Sequence, residues 1–151
     1  MIDAVHFSSQ TCLWSTPQNL FDQLNGEFGF TIDVCANSEN AKCPVFFSPD
    51  DDGLLQPWHK ILNGAAGGGQ NICWMNPPYG NRISDWMEKA YRESFNGVTT
   101  VCLLPARTDT RWFHQWILGK AEIRFVKGRL HFNGSKHPAP FPSMIVIYRA
   151  R

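Results

Sequence analysis

Four consecutive residues, Asn76-Pro77-Pro78-Tyr79, have the types and spacing to do chemistry. They follow a short apolar run, Ile72-Cys73-Trp74-Met75, that reads as a buried strand. Two prolines cannot continue a strand's hydrogen-bond ladder, and the residue before a proline is pushed away from helical angles. The result is a stiff, extended corner at the carboxyl end of a strand, where open α/β sheets place their ligands. The Asn76 side-chain oxygen and the Pro77 carbonyl are acceptors, and neither proline has a competing N–H. Together they can accept both hydrogens of one exocyclic amino group, while Tyr79 stacks on the ring that carries it. An aryl amine is a poor nucleophile because its lone pair is spread into its ring. Acceptors aimed at its hydrogens favour a more tetrahedral nitrogen and stabilise the positive charge that develops on attack. The chemistry this corner suits is alkylation of an amine by an electrophile such as a methyl sulfonium.

The rest of the chain has to position that corner. Residues 1–15 read as an irregular lead-in. Thr16 and Pro17 read as the N-cap and first position of a helix whose face is Leu20, Phe21 and Leu24, with Gly26 ending it. Phe30 to Val34 reads as the first central strand, with Asp33 near its carboxyl end, where packing explains a carboxylate poorly. Lys42 to Phe47 reads as a second strand, kept short or at an edge by Pro44. The glycines of 64–69 precede a strand and lack a Lys-Ser/Thr, so they read as a surface loop and not a nucleotide loop. Ile83, Trp86, Met87 and Ala90 recur at helical spacing and predict a helix over 82–95, ended by Asn96-Gly97. Val98 to Leu104 reads as a middle strand of a parallel sheet. Arg107, Asp109 and Arg111 follow at a corner on the ligand side, placed to reach substrate phosphates or one another. Trp112, Phe113, Trp116 and Ile117 give the next helix its apolar face. Strands are predicted at 123–126 and 129–132, flanking Lys127-Gly128, and at 143–148.

At 151 residues and 43% hydrophobic content, one domain with a packed core is expected. No apolar run is long enough to span a membrane, and no leader pattern opens the chain, so a cytoplasmic protein is expected. Five cysteines form no Cys-x-x-Cys pair, which predicts reduced, buried thiols and no metal. The triple aspartate at 50–52 lacks the spacing of a metal loop. The net charge of +1 is unevenly spread. Residues 1–76 are strongly acidic, and the basic excess falls after Thr110, where a phosphate-binding surface is plausible. The acidic half suits a cationic ligand instead.

The motifs, taken in order, resemble the phage-type DNA N-6-adenine methyltransferase (Dam) family. The matching pieces are Trp14-Ser15-Thr16-Pro17, Ile32 to Ala36, Asp52-Gly53-Leu54, Asn76 to Gly80, Leu103 to Ala106, and Gly128 to Phe132. The resemblance implies a Rossmann-like class I methyltransferase fold, with a mostly parallel sheet and a C-terminal antiparallel hairpin. It implies a single domain over 1–151 without a separate target-recognition domain. S-adenosylmethionine would be the cofactor and DNA the partner of a monomer or weak dimer, with no membrane and no metal. Asn76, Pro77, Pro78 and Tyr79 would be catalytic. Trp14, Thr16, Pro17, Asp33, Ala36, Asp52, Gly53, Leu54 and Asn76 would hold the cofactor. Asp33 would face its α-amino group in place of the usual glycine-rich first motif, and Asp52-Gly53-Leu54 would lie near its adenine, where Phe46 or Phe47 can pack. Tyr79, Arg107, Arg129 and Phe132 would contact the substrate, with Phe132 or Phe141 supporting a flipped base opposite Tyr79.

The same four-residue motif also serves methylation of protein glutamine and RNA bases. Cytosine, RNA and glutamine amines therefore stay open as substrates, as does a non-catalytic DNA-binding relative. Asparagine at position 76, where serine would favour cytosine, favours adenine. With little chain left over, sequence discrimination is expected to be relaxed and to come from loops near 64–70 and 133–142.

Overall fold

The fold is described from a computed structural model over residues 14–61, 71–132 and 135–151. The expected lead-in up to residue 13, the expected glycine loop and residues 133–134 of the expected 133–142 loop lie outside the described residues. Five strands form one sheet: β1 (Ile32–Asp33), β2 (Ile72–Met75), β3 (Thr99–Pro105), β4 (Glu122–Phe125) and β5 (Ser143–Tyr148). Their order across the sheet is β1-β2-β3-β5-β4. The first three are parallel, and β5 runs antiparallel to both of its neighbours.

Period-2 alternation sorts these strands into two cores, because successive side chains leave a strand on opposite faces. Cys73, Met75, Cys102, Leu104, Met144 and Val146 belong to one core. Trp74, Val101, Leu103, Ile145 and Ile147 belong to the other. Helix α1 (Gln18–Phe28) covers the second core with Phe21 and Leu24. Helix α2 (Ile83–Ser94) covers the first with Ile83, Trp86, Met87 and Ala90. A sheet buried on both faces explains why β2, β3 and β5 read as continuous apolar runs.

Several expected boundaries move. Pro17, not Thr16, caps α1, and its carbonyl accepts the first helical bond from Phe21 N–H at 3.2 Å. Thr16 spends its hydroxyl elsewhere. The helix runs past Gly26 to Phe28 and ends at Gly29, whose φ of 70° needs a glycine. The first strand shrinks to two residues, and the expected strand at 42–47 shrinks to a single parallel bridge, Asp33 to Phe46. Pro44, with no N–H to give, accounts for that brevity. The helix expected after Thr110 becomes a π-helical turn, Phe113–Ile117, closed by Leu118 N–H to Phe113 O at 2.9 Å. No strand forms at 129–132: Gly128 (φ 77°) turns the chain out of the sheet, and Leu130 O accepts from Ala139 N–H at 2.8 Å. The antiparallel neighbours β4 and β5 are therefore joined by the long connection 126–142 instead of a tight turn.

One buried charge went unforeseen. Glu93, 3% exposed at its side chain, accepts from Trp58 N–H and pairs with His59 Nδ1, each at 2.8 Å, with Lys89 Nζ at 3.2 Å. It ties α2 to the turn Trp58–Lys60. No helix among the described residues is long and apolar enough to cross a membrane.

Candidate active site

The carboxyl ends of β1 and β2 open into a cleft of about 610 Å³. Its walls come from the segment before α1, the loop after β1, the turn around Gly53, and the whole of 76–79. Pro77 is buried and Pro78 exposed, so the corner is anchored on one side and presented on the other.

Asn76 is fixed from across the chain. Its Nδ2 donates to Trp14 O at 2.8 Å and to Thr16 Oγ1 at 3.1 Å. A main-chain carbonyl only accepts, so Nδ2 must be the atom that faces it. The other end of the amide, Oδ1, is buried and has no hydrogen-bond partner among the described residues. An unmet buried acceptor is costly and rare, and calls for an explanation.

Tyr79 is held at its far end by a bond from its hydroxyl to Leu103 O at 3.2 Å. Burial pushes that hydroxyl well above the usual phenol range, so it stays a donor. Phe141 meets the Tyr79 ring edge-on, with centroids 5.7 Å apart.

Asp33 is 2% exposed at the end of β1. Its carboxylate accepts from Cys35 N–H at 3.2 Å and Lys42 N–H at 3.0 Å, so it folds the following loop around itself. Burial raises its pKa to about 6, partly opposed by the bonds from Lys42 and Cys35. Asn37 and Asn40 cap one another within that loop at 2.8 and 3.0 Å, doing with side chains what glycines do in a tighter turn. The Cys35 thiol lines the cleft but is inert: burial and then Asp33 push it up to about 12.

Gly53 supplies a close approach to this same segment. A Cβ there would stand 2.2 Å from Val34 O and 3.1 Å from the Trp86 ring, so no other residue fits unmoved. Asp52 precedes it in the left-handed region at φ 53° and accepts from Leu54 N–H at 3.2 Å.

Against this geometry stand the comparisons with known proteins. A model of the family "DNA N-6-adenine-methyltransferase (Dam)" matches residues 6–150. The chain belongs to the Dam family. It is 31% identical over 119 residues to the DNA N-6-adenine-methyltransferase of Escherichia phage T1, covering 78% of this chain and 46% of that one. It is 28% identical over 116 residues to the protein of that name in Haemophilus phage HP1, covering 76% of this chain and 61% of that one. The chain thus spans about half the length of the relatives it matches.

Of the residues the Dam resemblance pointed to, Trp14, Thr16, Asp33, Ala36, Asp52, Gly53 and Leu54 line the same cleft as Asn76 to Tyr79. Phe47 lines it and Phe46 does not. Pro17 lies at the helix start, outside the lining. Arg107, Arg129 and Phe132 do not line it either. Phe132 is buried against the Trp14 ring at 5.2 Å, because the chain at 129–132 leaves the sheet and packs back on it. Arg129 donates to Ala139 O at 3.3 Å, and the exposed Arg107 lies over the Phe141 ring at 5.7 Å. No ion pair joins Arg107, Asp109 and Arg111 among the described residues. Lys42, Asn37 and Trp86 were missed as cleft residues. The Asn37-x-x-Asn40 pattern of a self-capping loop was the one signal for the first two.

Among the described residues, no three metal-ligating side chains gather.

Proposed function

We propose that this chain transfers a methyl group from S-adenosylmethionine to the 6-amino group of adenine in DNA. The observation that carries the reading is the stranded acceptor, Asn76 Oδ1, at a strand end beside a half-buried tyrosine. An acceptor whose N–H end is already spent can serve only a donor, and an exocyclic amine is a donor.

The sheet supports a Rossmann-like class I methyltransferase fold: parallel at the start, with its last strand inserted antiparallel. The cleft suits the cofactor. Gly53 lets its turn pack directly on the Val34 carbonyl and the Trp86 ring, which sets the shape of the cleft wall. Asp33 is the carboxylate for its cationic end, and Asp52, Leu54 and Phe47 line the same cleft. When bound, S-adenosylmethionine supplies an electrophilic methyl group. The protein's part is to bind, orient and shield. Asn76 Oδ1 and the Pro77 carbonyl accept the two amine hydrogens and favour the charge that develops on nitrogen. Tyr79 takes the face of the flipped base, offsetting a flipping cost of a few kcal/mol. No strong base is needed, since the proton leaves after the methyl arrives.

Arg107 and Arg129, both exposed, are read as phosphate contacts on the basic C-terminal side. Phe132 is read as support for Trp14. The test is incubation of unmethylated DNA with cofactor labelled in its methyl group, followed by nucleoside analysis. Label in N6-methyladenine supports the reading. Label in methylcytosine, or only in RNA or protein, moves the same chemistry to another amine. Failure to bind S-adenosylhomocysteine makes the chain a non-catalytic relative.

A further inference from the structure

We infer that Thr16 and the Trp14 carbonyl are positioning groups that lock Asn76 as an obligate acceptor, so that this chain requires asparagine and not aspartate at position 76. The inference rests on the functional reading above and adds a role that a place in the cofactor wall does not give Thr16.

An asparagine amide has two N–H donors. Here both are used, at 2.8 Å to Trp14 O and 3.1 Å to Thr16 Oγ1. Turning the amide over would set Oδ1 against the Trp14 carbonyl, acceptor against acceptor, and strand both N–H groups. The amide therefore has one orientation, with Oδ1 left over. The Trp14 carbonyl is itself held in place, because the Trp14 ring packs edge-on against Phe132 at 5.2 Å and Phe141 at 5.0 Å.

Among the described residues, Thr16 makes no other side-chain hydrogen bond. It is buried, but α1 is capped by Pro17 and takes no side-chain cap bond. The hydroxyl that sequence reasoning gave to the helix is given instead to Asn76, 60 residues further on. Aspartate at 76 would keep two acceptor oxygens for the amine but would have no N–H for Trp14 O. One of its oxygens would face that carbonyl, and only Thr16 could reverse its hydroxyl to donate. If accepting the amine were all that mattered, aspartate would serve. The relay says it will not.

The experiment compares the wild type with Thr16→Val, Thr16→Ser and Asn76→Asp. It reads kcat and KM on unmethylated DNA, S-adenosylhomocysteine affinity by calorimetry, and the Asn76 side-chain amide by 15N NMR. The amide signals are identified by their loss in Asn76→Asp. Expected are a kcat at least tenfold lower in Thr16→Val with KM and cofactor affinity within threefold, recovery in Thr16→Ser, and at least a hundredfold loss in Asn76→Asp. The wild-type Asn76 side-chain protons should exchange slowly, and in Thr16→Val they should shift and exchange faster. Wild-type kcat in Thr16→Val, a loss confined to cofactor affinity, or an active Asn76→Asp overturns the relay. Should Thr16→Val fail to fold, fast-exchanging Asn76 side-chain protons in the wild type overturn it instead. If the wild type methylates no amine at all, the functional reading fails, while the NMR arm still reports on the relay by itself.

Discussion

The hydroxyl of Tyr79 donates to the carbonyl of Leu103 across 3.2 Å, tying the motif to the middle strand of the sheet. That tether holds the ring at its far end and leaves its face for stacking. Tyr79→Phe keeps the face and loses the tether, so turnover should stay within about tenfold of wild type, about 1.4 kcal/mol. Tyr79→Ala loses both, and turnover should fall at least a hundredfold, or about 2.7 kcal/mol. Steady-state methyl transfer, with melting curves to show that both variants fold, makes the comparison.

Asp33 should make cofactor binding depend on pH. Its folded pKa is raised to about 6 from 3.8, chiefly by burial. Its contribution to stability is thus greatest below 3.8 and is lost as pH rises through about 6. A cationic ligand favours the ionised form. S-adenosylmethionine affinity should therefore hold steady above about pH 6 and fall below it, by up to about tenfold per pH unit. Asp33→Asn should bind at least tenfold more weakly at pH 7.5, with little change between pH 5 and 7. Calorimetry across that range is the check.

Gly53→Ala should damage the cleft wall itself. The new Cβ meets the Val34 carbonyl, which is backbone and cannot swing aside. A loss of about 1–3 kcal/mol in stability is expected, as for an overpacked core. Cofactor affinity should fall with it, since Val34 and Gly53 both line the site. Denaturant melts with and without S-adenosylhomocysteine measure both effects.

Glu93 offers a control away from the chemistry. Burial would raise its pKa, but bonds from Asn96, His59, the Trp58 N–H and Lys89 outweigh burial and lower it. Its stabilisation is present above 4.5 and lost as pH falls below that. Glu93→Gln should be less stable by about 1–3 kcal/mol at pH 7. The gap from wild type should close in acid, and turnover at low temperature should be near normal. Melting temperature against pH shows it.

The sequence and the structure part company in instructive places. The apolar runs at 72–75, 99–105 and 143–148 were legible because a strand buried on both faces has no polar alternation to confuse the reading. Helix α2 was legible from four apolar residues at helical spacing. The 42–47 segment was over-read: its residues favour a strand, yet Pro44 lets it make a single bridge. The 129–132 segment was over-read because nothing in its composition announces that Gly128 turns the chain away. Within the site, the corner at 76–79 follows from proline chemistry alone. The bond from Asn76 to the Thr16 hydroxyl does not, since local rules assigned that hydroxyl to the helix and only the folded chain brings the two together. Phe132 looked available and is buried, because a lone aromatic in a hairpin-like stretch reads the same either way.

The measurement that bears most directly on the central claim is methyl transfer to unmethylated DNA by purified wild type and Asn76→Ala, read as labelled nucleosides. The account predicts label in N6-methyladenine from the wild type and at least a hundredfold less from a folded Asn76→Ala. Near-equal rates from the two proteins, or label absent from adenine, would contradict it.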